Sequence, residues 1–264
     1  MIKLSVIIVE FFSLDDIRKC IKSYKENIPN IEIVVSSNSQ YDLPRQKEIL
    51  EGFPDCVWCF NDRNGGFAYA MNKGLAVASG DYLIISNPDC AIKHGISEMA
   101  NFMKRFPEIG AIAPKIVDSD GKIQDSCRSY VTLPGFILRQ IRRIIFKEES
   151  IISKRTDYDK IQPVDWVIGA FIMTSRSVYE QTGGLSLDYF MYAEDVDWCT
   201  RIRQKGYEIV YYPKAEIIYK GSRNARKSMK YARIFLRSHF IYWHKFGFFF
   251  IKPKRKIIDF ENKL

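Results

Sequence analysis

The chain has 264 residues, of which 47% are hydrophobic and 27% are charged, a composition typical of a globular protein. It excludes a disordered chain, a collagen-like chain and a coiled coil. No uncharged apolar run approaches the roughly 18 residues that a membrane-spanning helix requires, and the apolar segment 1–9 is too short for a signal peptide.

The net charge of +9 is unevenly distributed along the chain. Residues 220–264 contain 13 of the 40 basic and 2 of the 31 acidic residues, so this segment carries +11 and the remainder −2. Such a segment indicates contact with phosphate, supplied by nucleic acid, anionic lipid or a phosphorylated substrate.

The first half of the chain alternates predicted strands and helices. Apolar runs predict buried strands at 4–9, 31–35, 57–60 and 81–86. Helical spacing of apolar residues predicts one helix after Ser13 and another over 66–78. The alternation predicts a parallel sheet with right-handed crossovers, whose ligands bind beyond the carboxyl ends of the strands.

The second half is less regular. A basic helical stretch followed by a polar loop is predicted from Pro134 to about Lys160. The other predicted elements are an apolar strand at 109–114, a turn at 118–121, a strand at 164–174, a helix at 194–206, short strands at 208–212 and 216–219, and a long helix at 227–246.

The cysteine and histidine residues give little sign of chemistry. Cys56 and Cys59 have the spacing of a metal or redox motif, but in a predicted strand they point to opposite faces and would not chelate one ion. The histidines are scattered and are interpreted as structural. Neither a phosphate-binding loop nor an RNA-binding signature occurs, so nucleic acid is not the expected partner.

Asn87-Pro88-Asp89 follows a buried strand, which places Asp89 at the mouth of the sheet. A carboxylate in this place suits Mg²⁺ or Mn²⁺ bridging to a diphosphate. The same tripeptide is also good turn chemistry, which leaves a purely structural alternative open.

Three carboxylates, Glu194, Asp195 and Asp197, crowd the first turn of one predicted helix. They complement the helix dipole, and Asp197 could simply pair with Arg201 on the surface. However, the preceding segment 189–192 is aromatic, and a carboxylate beside such a surface can have a raised pKa and act as a base.

Asn64-Gly65-Gly66 opens the helix that contains Asn72. Backbone amides at a glycine-led helix start can hold an anion. Close packing of the helix on the sheet would explain the two glycines equally well.

Taken in order, these segments resemble family-2 glycosyltransferases, in particular the rhamnosyltransferase-like branch that builds bacterial surface polysaccharides. The resemblance covers about residues 4–222 and rests on the Asn-Pro-Asp block and on Glu-Asp-x-Asp-x-Cys-x-Arg at 194–201. It implies an α/β, Rossmann-like GT-A fold, with a mostly parallel central sheet flanked by helices and a C-terminal helical basic tail. The implied division is 1–222 for the glycosyltransferase domain, with a nucleotide-sugar half at 1–89 and an acceptor half at 90–222, and 223–264 for the extension.

The resemblance also implies a reaction. An inverting transfer moves a sugar from dTDP-rhamnose or a UDP-hexose to a hydroxyl of a lipid-linked or oligosaccharide acceptor in cell-surface polysaccharide synthesis. The alternative is a catalytically degenerate relative that binds sugar or a partner within a polysaccharide assembly complex.

Site residues follow from the same resemblance. Asp195, with Glu194 beside it, is the expected catalytic base, and Asp89 is the expected ligand of a weakly bound Mn²⁺ or Mg²⁺. The expected substrate-binding residues are Val9, Glu10, Ser36, Asn64, Gly66, Asn72, Asp81, Asn87, Trp166 and Gly169. Of these, Asn64 and Asp81 are expected near the nucleotide, and Trp166 and Gly169 in the wall around the sugar or acceptor.

The chain departs from the family pattern at three places. Ser36 replaces an aspartate that contacts the nucleobase, 10–12 reads Glu-Phe-Phe in place of Asn-Tyr-Asn, and Tyr219 replaces a histidine that is often a metal ligand. We expect Glu10 to take over the nucleobase contact, and we expect metal binding to be looser.

The apolar segment 246–251 is flanked by Lys245 and by four basic residues within 252–256. It could lie on an anionic membrane, dock on the core as a terminal helix, or contact another protein. The first alternative agrees with a lipid-linked acceptor and with a cytoplasmic protein that is peripheral at the inner face of the plasma membrane.

Overall fold

The computed structural model describes residues 2–130, 132–146, 157–221 and 228–249. Within these ranges no helix combines the length and the apolar character needed to cross a membrane. Residues 147–156, 222–227 and 250–264 lie outside the described residues, so 20 of the 42 residues of the extension expected at 223–264 are not described.

The described strands are β1 (Leu4–Glu10), β2 (Glu32–Ser37), β3 (Cys56–Phe60), β4 (Tyr82–Ser86), β5 (Cys90–His94), β6 (Ile109–Val117), β7 (Cys127–Arg128), β8 (Gln162–Val164), β9 (Trp166–Val167), β10 (Phe171–Ser175) and β11 (Glu208–Tyr219). The described helices are α1 (Leu14–Asn27), α2 (Leu43–Gly52), α3 (Phe67–Val77), α4 (Ile96–Arg105), α5 (Leu133–Phe146), α6 (Arg176–Thr182), α7 (Glu194–Gln204) and α8 (Met229–Phe246).

Nine of the described strands form one central sheet. Its order is β3-β2-β1-β4-β10-β6-β11-β5, and β8 pairs with β11. The strands β1 to β4 are mutually parallel, as the alternation of strands and helices predicts, whereas β10 runs antiparallel to both β4 and β6. Because β10 lies between β4 and β6, residues 1–89 and 90–222 both contribute strands to this sheet.

Helices cover both faces of the sheet. All seven residues of β1 are buried, which explains why five of them are apolar. One face packs against α1 and α4, and the other packs against α3, α7 and α8. Gly74 permits the close approach of α3, because a Cβ atom there would lie 2.5 Å from Ile7 Cγ2. The predicted α/β fold with a central sheet flanked by helices is therefore confirmed.

Two predictions of strand length were wrong. The segment 164–174 is divided among β8, β9 and β10, and β9 leaves the main sheet to pair with β7. Conversely, the two short strands predicted at 208–212 and 216–219 are the single strand β11. Its pairing with β6 shifts register between Tyr212 and Glu216, around Pro213, which has no N–H to donate to a ladder.

Candidate active site at the carboxyl edge of the sheet

The carboxyl ends of β1, β2 and β4 meet at one edge of the sheet, and several predicted site residues follow directly there. Asp81 does not. It precedes β4, its side chain accepts a hydrogen bond from Lys3 N at 3.1 Å, and the five residues of β4 separate it from Asn87. The prediction that Asp81 lies near the nucleotide is therefore wrong, because it occupies the opposite edge of the sheet.

Asp89 lies against the end of β11. Its Oδ2 accepts a hydrogen bond from Gly221 N at 3.2 Å, and Asn87 Nδ2 donates to the Tyr219 hydroxyl at 3.1 Å. Burial raises the pKa of the Asp89 carboxyl. Burial, followed by the charge of Asp89, raises the pKa of Tyr219, so its phenol is neutral. Asn87, Asp89 and Tyr219 form one half-buried polar cluster.

Asp195 is the second residue of α7, and its carboxylate is oriented by backbone amides. Gly169 N donates to its Oδ2 at 2.9 Å, and Val196 N donates to its Oδ1 at 2.8 Å. A Cβ atom at Gly169 would lie 3.5 Å from Asp195 Cβ, an ordinary van der Waals distance, so it is the backbone amide that links residue 169 to the carboxylate. Gly169 thus holds the candidate base in position.

Asp89 and Asp195 are connected through the chain that enters β10. Asn87 N donates to Ala170 O at 3.0 Å, and the preceding residue, Gly169, donates to Asp195. The backbone of residues 169–170 therefore lies between the segment that carries Asp89 and the helix that carries Asp195. The two acids approach the same edge although the sequence separates them widely.

Glu194 differs from its neighbour Asp195. It is buried, and its Oε2 has no hydrogen-bond partner among the described residues. Burial, followed by the charge of Asp195, raises the pKa of Glu194 to about 8. A protonated Glu194 therefore accompanies a half-buried Asp195 at neutral pH.

Asp197, the third acid of this helix, is fully buried, so the surface pair predicted with Arg201 is wrong in its location. Its Oδ1 lies 2.6 Å from Arg201 Nε, and its Oδ2 lies 2.7 Å from Lys245 Nζ and 3.0 Å from the Tyr189 hydroxyl. Two cations compensate the buried carboxylate. Lys245, predicted to flank a membrane patch, instead fastens α8 to α7.

Glu10 occupies the interior at the end of β1 and is fully buried. Its Oε1 accepts from Ser13 N at 2.8 Å and from the Tyr41 hydroxyl at 3.1 Å. Its Oε2 accepts from the Ser37 and Ser39 hydroxyls at 2.5 and 2.8 Å. Glu10 joins the loop after β1 to the loop after β2, while its contact with a nucleobase stays a prediction.

Ser36 and the asparagines of this edge are occupied by the protein. Ser36 is buried and accepts from Asn61 Nδ2 at 3.0 Å, and the same amide group donates to Asn38 Oδ1 at 3.0 Å. Asn38 Nδ2 in turn donates to Asn64 Oδ1 at 3.3 Å and to Gly66 O at 3.1 Å. Asn38 and Asn61 were not among the predicted site residues, although Asn61 directly follows a predicted strand and Asn38 directly follows β2.

Gly66 and Asn72 fix α3 against the acceptor half. Gly66 has φ +90°, and a Cβ atom there would lie 2.0 Å from Phe190 O, so only glycine fits. Asn72 bonds both backbone groups of Leu185, with Nδ2 donating at 2.7 Å and Oδ1 accepting at 3.0 Å. These contacts are with the 185–190 segment and not with the sheet, and anion binding at this helix start stays a prediction.

Aromatic side chains stand beside the Glu10 network. Phe11 and Phe12 are 49% and 69% exposed, and the Phe12 ring lies 6.0 Å from the Tyr41 ring in an edge arrangement. Val9, paired in register with Ser36, is buried beneath them. In the acceptor half, Trp166 is also buried, donates to Ser129 O at 3.2 Å and lies under the Arg128 guanidinium at 5.3 Å.

The donor set at this edge suits a divalent ion only together with a substrate. The described residues contain no group of three or more His, Cys, Asp or Glu side chains that could hold a metal. Asp89 offers one carboxylate, with the Asn87 amide beside it. Mg²⁺ is commonly held by one or two carboxylates plus substrate phosphates, so Asp89 fits an ion that arrives with a diphosphate.

The sequence is similar to those of known glycosyltransferases. The family model "Glycosyl transferase family 2" matches residues 5–183. The N-acetylglucosaminyl-diphospho-decaprenol L-rhamnosyltransferase of Mycobacterium tuberculosis is 26% identical over 210 residues, covering 72% of this chain and 66% of that protein. The rhamnosyltransferase WbbL of Escherichia coli is 26% identical over 255 residues, covering 90% of this chain and 91% of WbbL.

The fold also matches solved structures. The crystal structure of GalNAc-T7 with UDP, GalNAc and Mn²⁺ superposes with a TM-score of 0.62 at 16% identity, covering 83% of this chain and 44% of that one. At this identity the likeness concerns the fold alone. The chain spans less than two thirds of the length of GalNAc-T7 and of the mycobacterial relative.

Proposed function

The chain belongs to glycosyl transferase family 2, and we propose that it transfers a rhamnosyl or hexosyl group from a nucleoside diphosphate donor to an acceptor hydroxyl. The observation that carries this proposal is that the 169–170 backbone bonds both to Asn87, two residues before Asp89, and to the carboxylate of Asp195. One acid can serve the leaving diphosphate while the other serves the attacking alcohol.

Asp195 acts as the general base. Its carboxylate accepts the proton of the acceptor hydroxyl, and the oxygen displaces the nucleoside diphosphate from the anomeric carbon with inversion. The amides of Gly169 and Val196 fix both carboxylate oxygens, so the base is oriented before the acceptor binds. A positioned general base contributes about 10²–10⁴ in rate.

Asp89 would hold a divalent ion, with the Asn87 amide beside it. When bound, such an ion neutralises charge on the departing diphosphate. Asp89 itself is held by Gly221 N, at the end of β11. Because the chain supplies one carboxylate here, ion and donor are expected to bind together.

We propose that the nucleobase of the donor binds at the carboxyl ends of β1 and β2. Phe12 and Tyr41 offer exposed aromatic surface on which a planar base can stack, and Glu10 holds their two loops together. A dTDP-sugar is the first candidate donor and a UDP-hexose the second.

The acceptor is proposed from the relatives. The name of the mycobacterial relative describes an acceptor linked to decaprenyl diphosphate, and a lipid-linked or oligosaccharide acceptor in polysaccharide synthesis is the corresponding proposal here. A cytoplasmic site at the inner face of the membrane would suit a lipid-linked acceptor.

The test is release of nucleoside diphosphate from a panel of nucleotide sugars, with and without Mn²⁺, in the presence of a synthetic polyprenyl-diphosphate sugar. We expect sugar transfer with at least one donor. Asp120→Asn, a change at an exposed turn residue, is the matched control and should behave as the wild type.

Donor binding without turnover for every donor in the panel would favour the alternative, a degenerate sugar-binding module. A thermal-shift measurement distinguishes that outcome from failure to bind. A ligand at one hundred times its Kd adds about 2.7 kcal/mol to the free energy of unfolding.

A further inference from the structure

Helix α5 presents an apolar face that no described residue covers. Ile137, Leu138 and Ile141 are 49%, 50% and 46% exposed. Five residues of α5 line an open groove of about 530 Å³ together with Phe248 and Phe249. Large apolar side chains gathered in this way mark a surface that contacts a partner.

The exposed residues share one face of the helix because they recur at spacings of three and four. A different face carries Phe136, whose ring lies 5.3 Å from that of Trp243 on α8. The apolar surface continues onto α8 through Phe240, which is 58% exposed and packs against Phe248 at 5.9 Å. Helix α5 is therefore anchored through Phe136, and the remaining apolar face is left for another partner.

The surroundings of this face are positively charged. On α8, Lys230, Arg233 and Arg237 are exposed, and Arg233, Arg237 and Phe240 recur at spacings of four and three, so they share one face of the helix. The sequences of α5 and α8 contain no acidic residue. An apolar helix face bordered by basic residues is the pattern of a helix that lies at a lipid interface. We propose that the surface formed by α5, the adjoining face of α8 and Phe248–Phe249 docks on an anionic lipid bilayer.

Charge also argues against the two other occupants that the chain itself could supply. A second copy would bring an equally basic surface to the contact, and like charges repel. Residues 250–264 contain five basic and two acidic residues, so this segment is also positively charged. Anionic lipid phosphates have the opposite charge to the surface, whereas a second copy of the chain and residues 250–264 have the same charge.

The proposed surface is connected to the candidate active site. Helix α8 contacts α5 on one side, and on another it contacts the segment that leads into α7. The Phe235 ring lies 5.6 Å from that of Tyr192, and the Ser238 hydroxyl donates to Met191 O at 2.7 Å. A bilayer on this surface would present a lipid-linked acceptor beside Asp195, and only this last step rests on the proposed function.

The test is flotation of the full chain with vesicles. Vesicles of phosphatidylglycerol and phosphatidylethanolamine are compared with phosphatidylcholine vesicles, at low and high salt. Two variants are matched, since Ile141 and Leu50 are both helical and both 46% exposed. We expect Ile141→Glu to lower the partition coefficient for the anionic vesicles by roughly tenfold or more, and Leu50→Glu to leave it unchanged.

Supporting results are binding to anionic vesicles, its loss at high salt, and slower amide hydrogen exchange in α5 only when those vesicles are present. Absence of binding by the wild type, equal binding to phosphatidylcholine vesicles, or equal losses in both variants would overturn the proposal. Slow exchange in α5 that vesicles do not change would also overturn it, because a second copy or residues 250–264 would then cover the surface. No sugar is needed, so failure here is distinct from failure of the proposed transferase activity.

Discussion

Two buried acids at the carboxyl edge of the sheet differ in how far their hydrogen-bonding capacity is satisfied. Glu10, at the end of β1, accepts four hydrogen bonds from neighbouring loops. Glu194, at the start of α7, is also buried, but one of its oxygens has no partner among the described residues. A buried acid whose bonds are satisfied fixes the shape of a pocket, whereas one left unsatisfied keeps its proton and alters the electrostatics around its neighbours.

The largest effect on stability is expected at Glu10. Glu10→Ala would leave the hydroxyls of Ser37, Ser39 and Tyr41 and the amide of Ser13 without their acceptor. We expect the free energy of unfolding, measured in urea, to fall by about 3 kcal/mol, and donor affinity to fall with it. The sequence alone predicts a direct nucleobase contact for Glu10, whose loss would weaken donor binding.

Glu10→Gln is the control, since it keeps the shape and part of the acceptor capacity. If Glu10→Ala weakened donor binding without lowering the free energy of unfolding, the structural role of Glu10 would be contradicted. That outcome would assign Glu10 to direct contact with the base.

A smaller effect, dependent on pH, is expected at Glu194. The pKa of this acid rises from 4.5 to about 8 on folding, so the folded protein retains a proton that the unfolded chain releases. The free energy of unfolding therefore falls as pH rises from about 4.5 through 8. Glu194→Gln removes this decline, so the variant should gain stability over the wild type as the pH rises through this range, by at most about 1.4 kcal/mol per pH unit.

Denaturation curves at several pH values measure this difference. Parallel pH profiles for Glu194→Gln and the wild type would mean that Glu194 is ionised in the folded protein. The contrast with Glu10 would then disappear.

The smallest effect is expected at Tyr219. Its hydroxyl accepts a hydrogen bond from Asn87 near Asp89, where the family pattern has a histidine. We expect Tyr219→His to lower the Mn²⁺ concentration required for activity by roughly tenfold, because an imidazole can join the donor set. Titration of activity against Mn²⁺ measures the change, with Tyr219→Phe as control, and micromolar-tight dependence in the wild type would contradict it.

Local patterns were sufficient to predict the elements that carry the site. The mostly apolar sequences of β1 and β4 and the amphipathic spacing in α1 depend on burial, which leaves a direct pattern in the sequence. Elements such as α2 and β5 were not predicted. Helix α2 buries only Ile49, and β5 ends in exposed, charged residues, so neither has a strong apolar pattern.

The site residues were harder to interpret because their partners are distant in sequence. Asp197 and Arg201 have the spacing of a surface pair, and Lys245, contributed by α8, is part of what makes the pair a buried cluster. Three of the four hydrogen bonds that Glu10 accepts come from residues at or just after the end of β2. The prediction placed Asp81 near the nucleotide together with the Asn-Pro-Asp block. Asp81 precedes β4 and the block follows it, so the two lie at opposite edges of the sheet.

The most direct measurement of the central claim is turnover and donor affinity in Asp195→Asn. The exchange removes the proton acceptor and keeps the shape that Gly169 and Val196 hold. We expect kcat to fall by a factor of about 10²–10⁴ while the donor Kd stays unchanged. Turnover near the wild-type level would contradict it, because Asp195 would then not be the group that takes the acceptor proton.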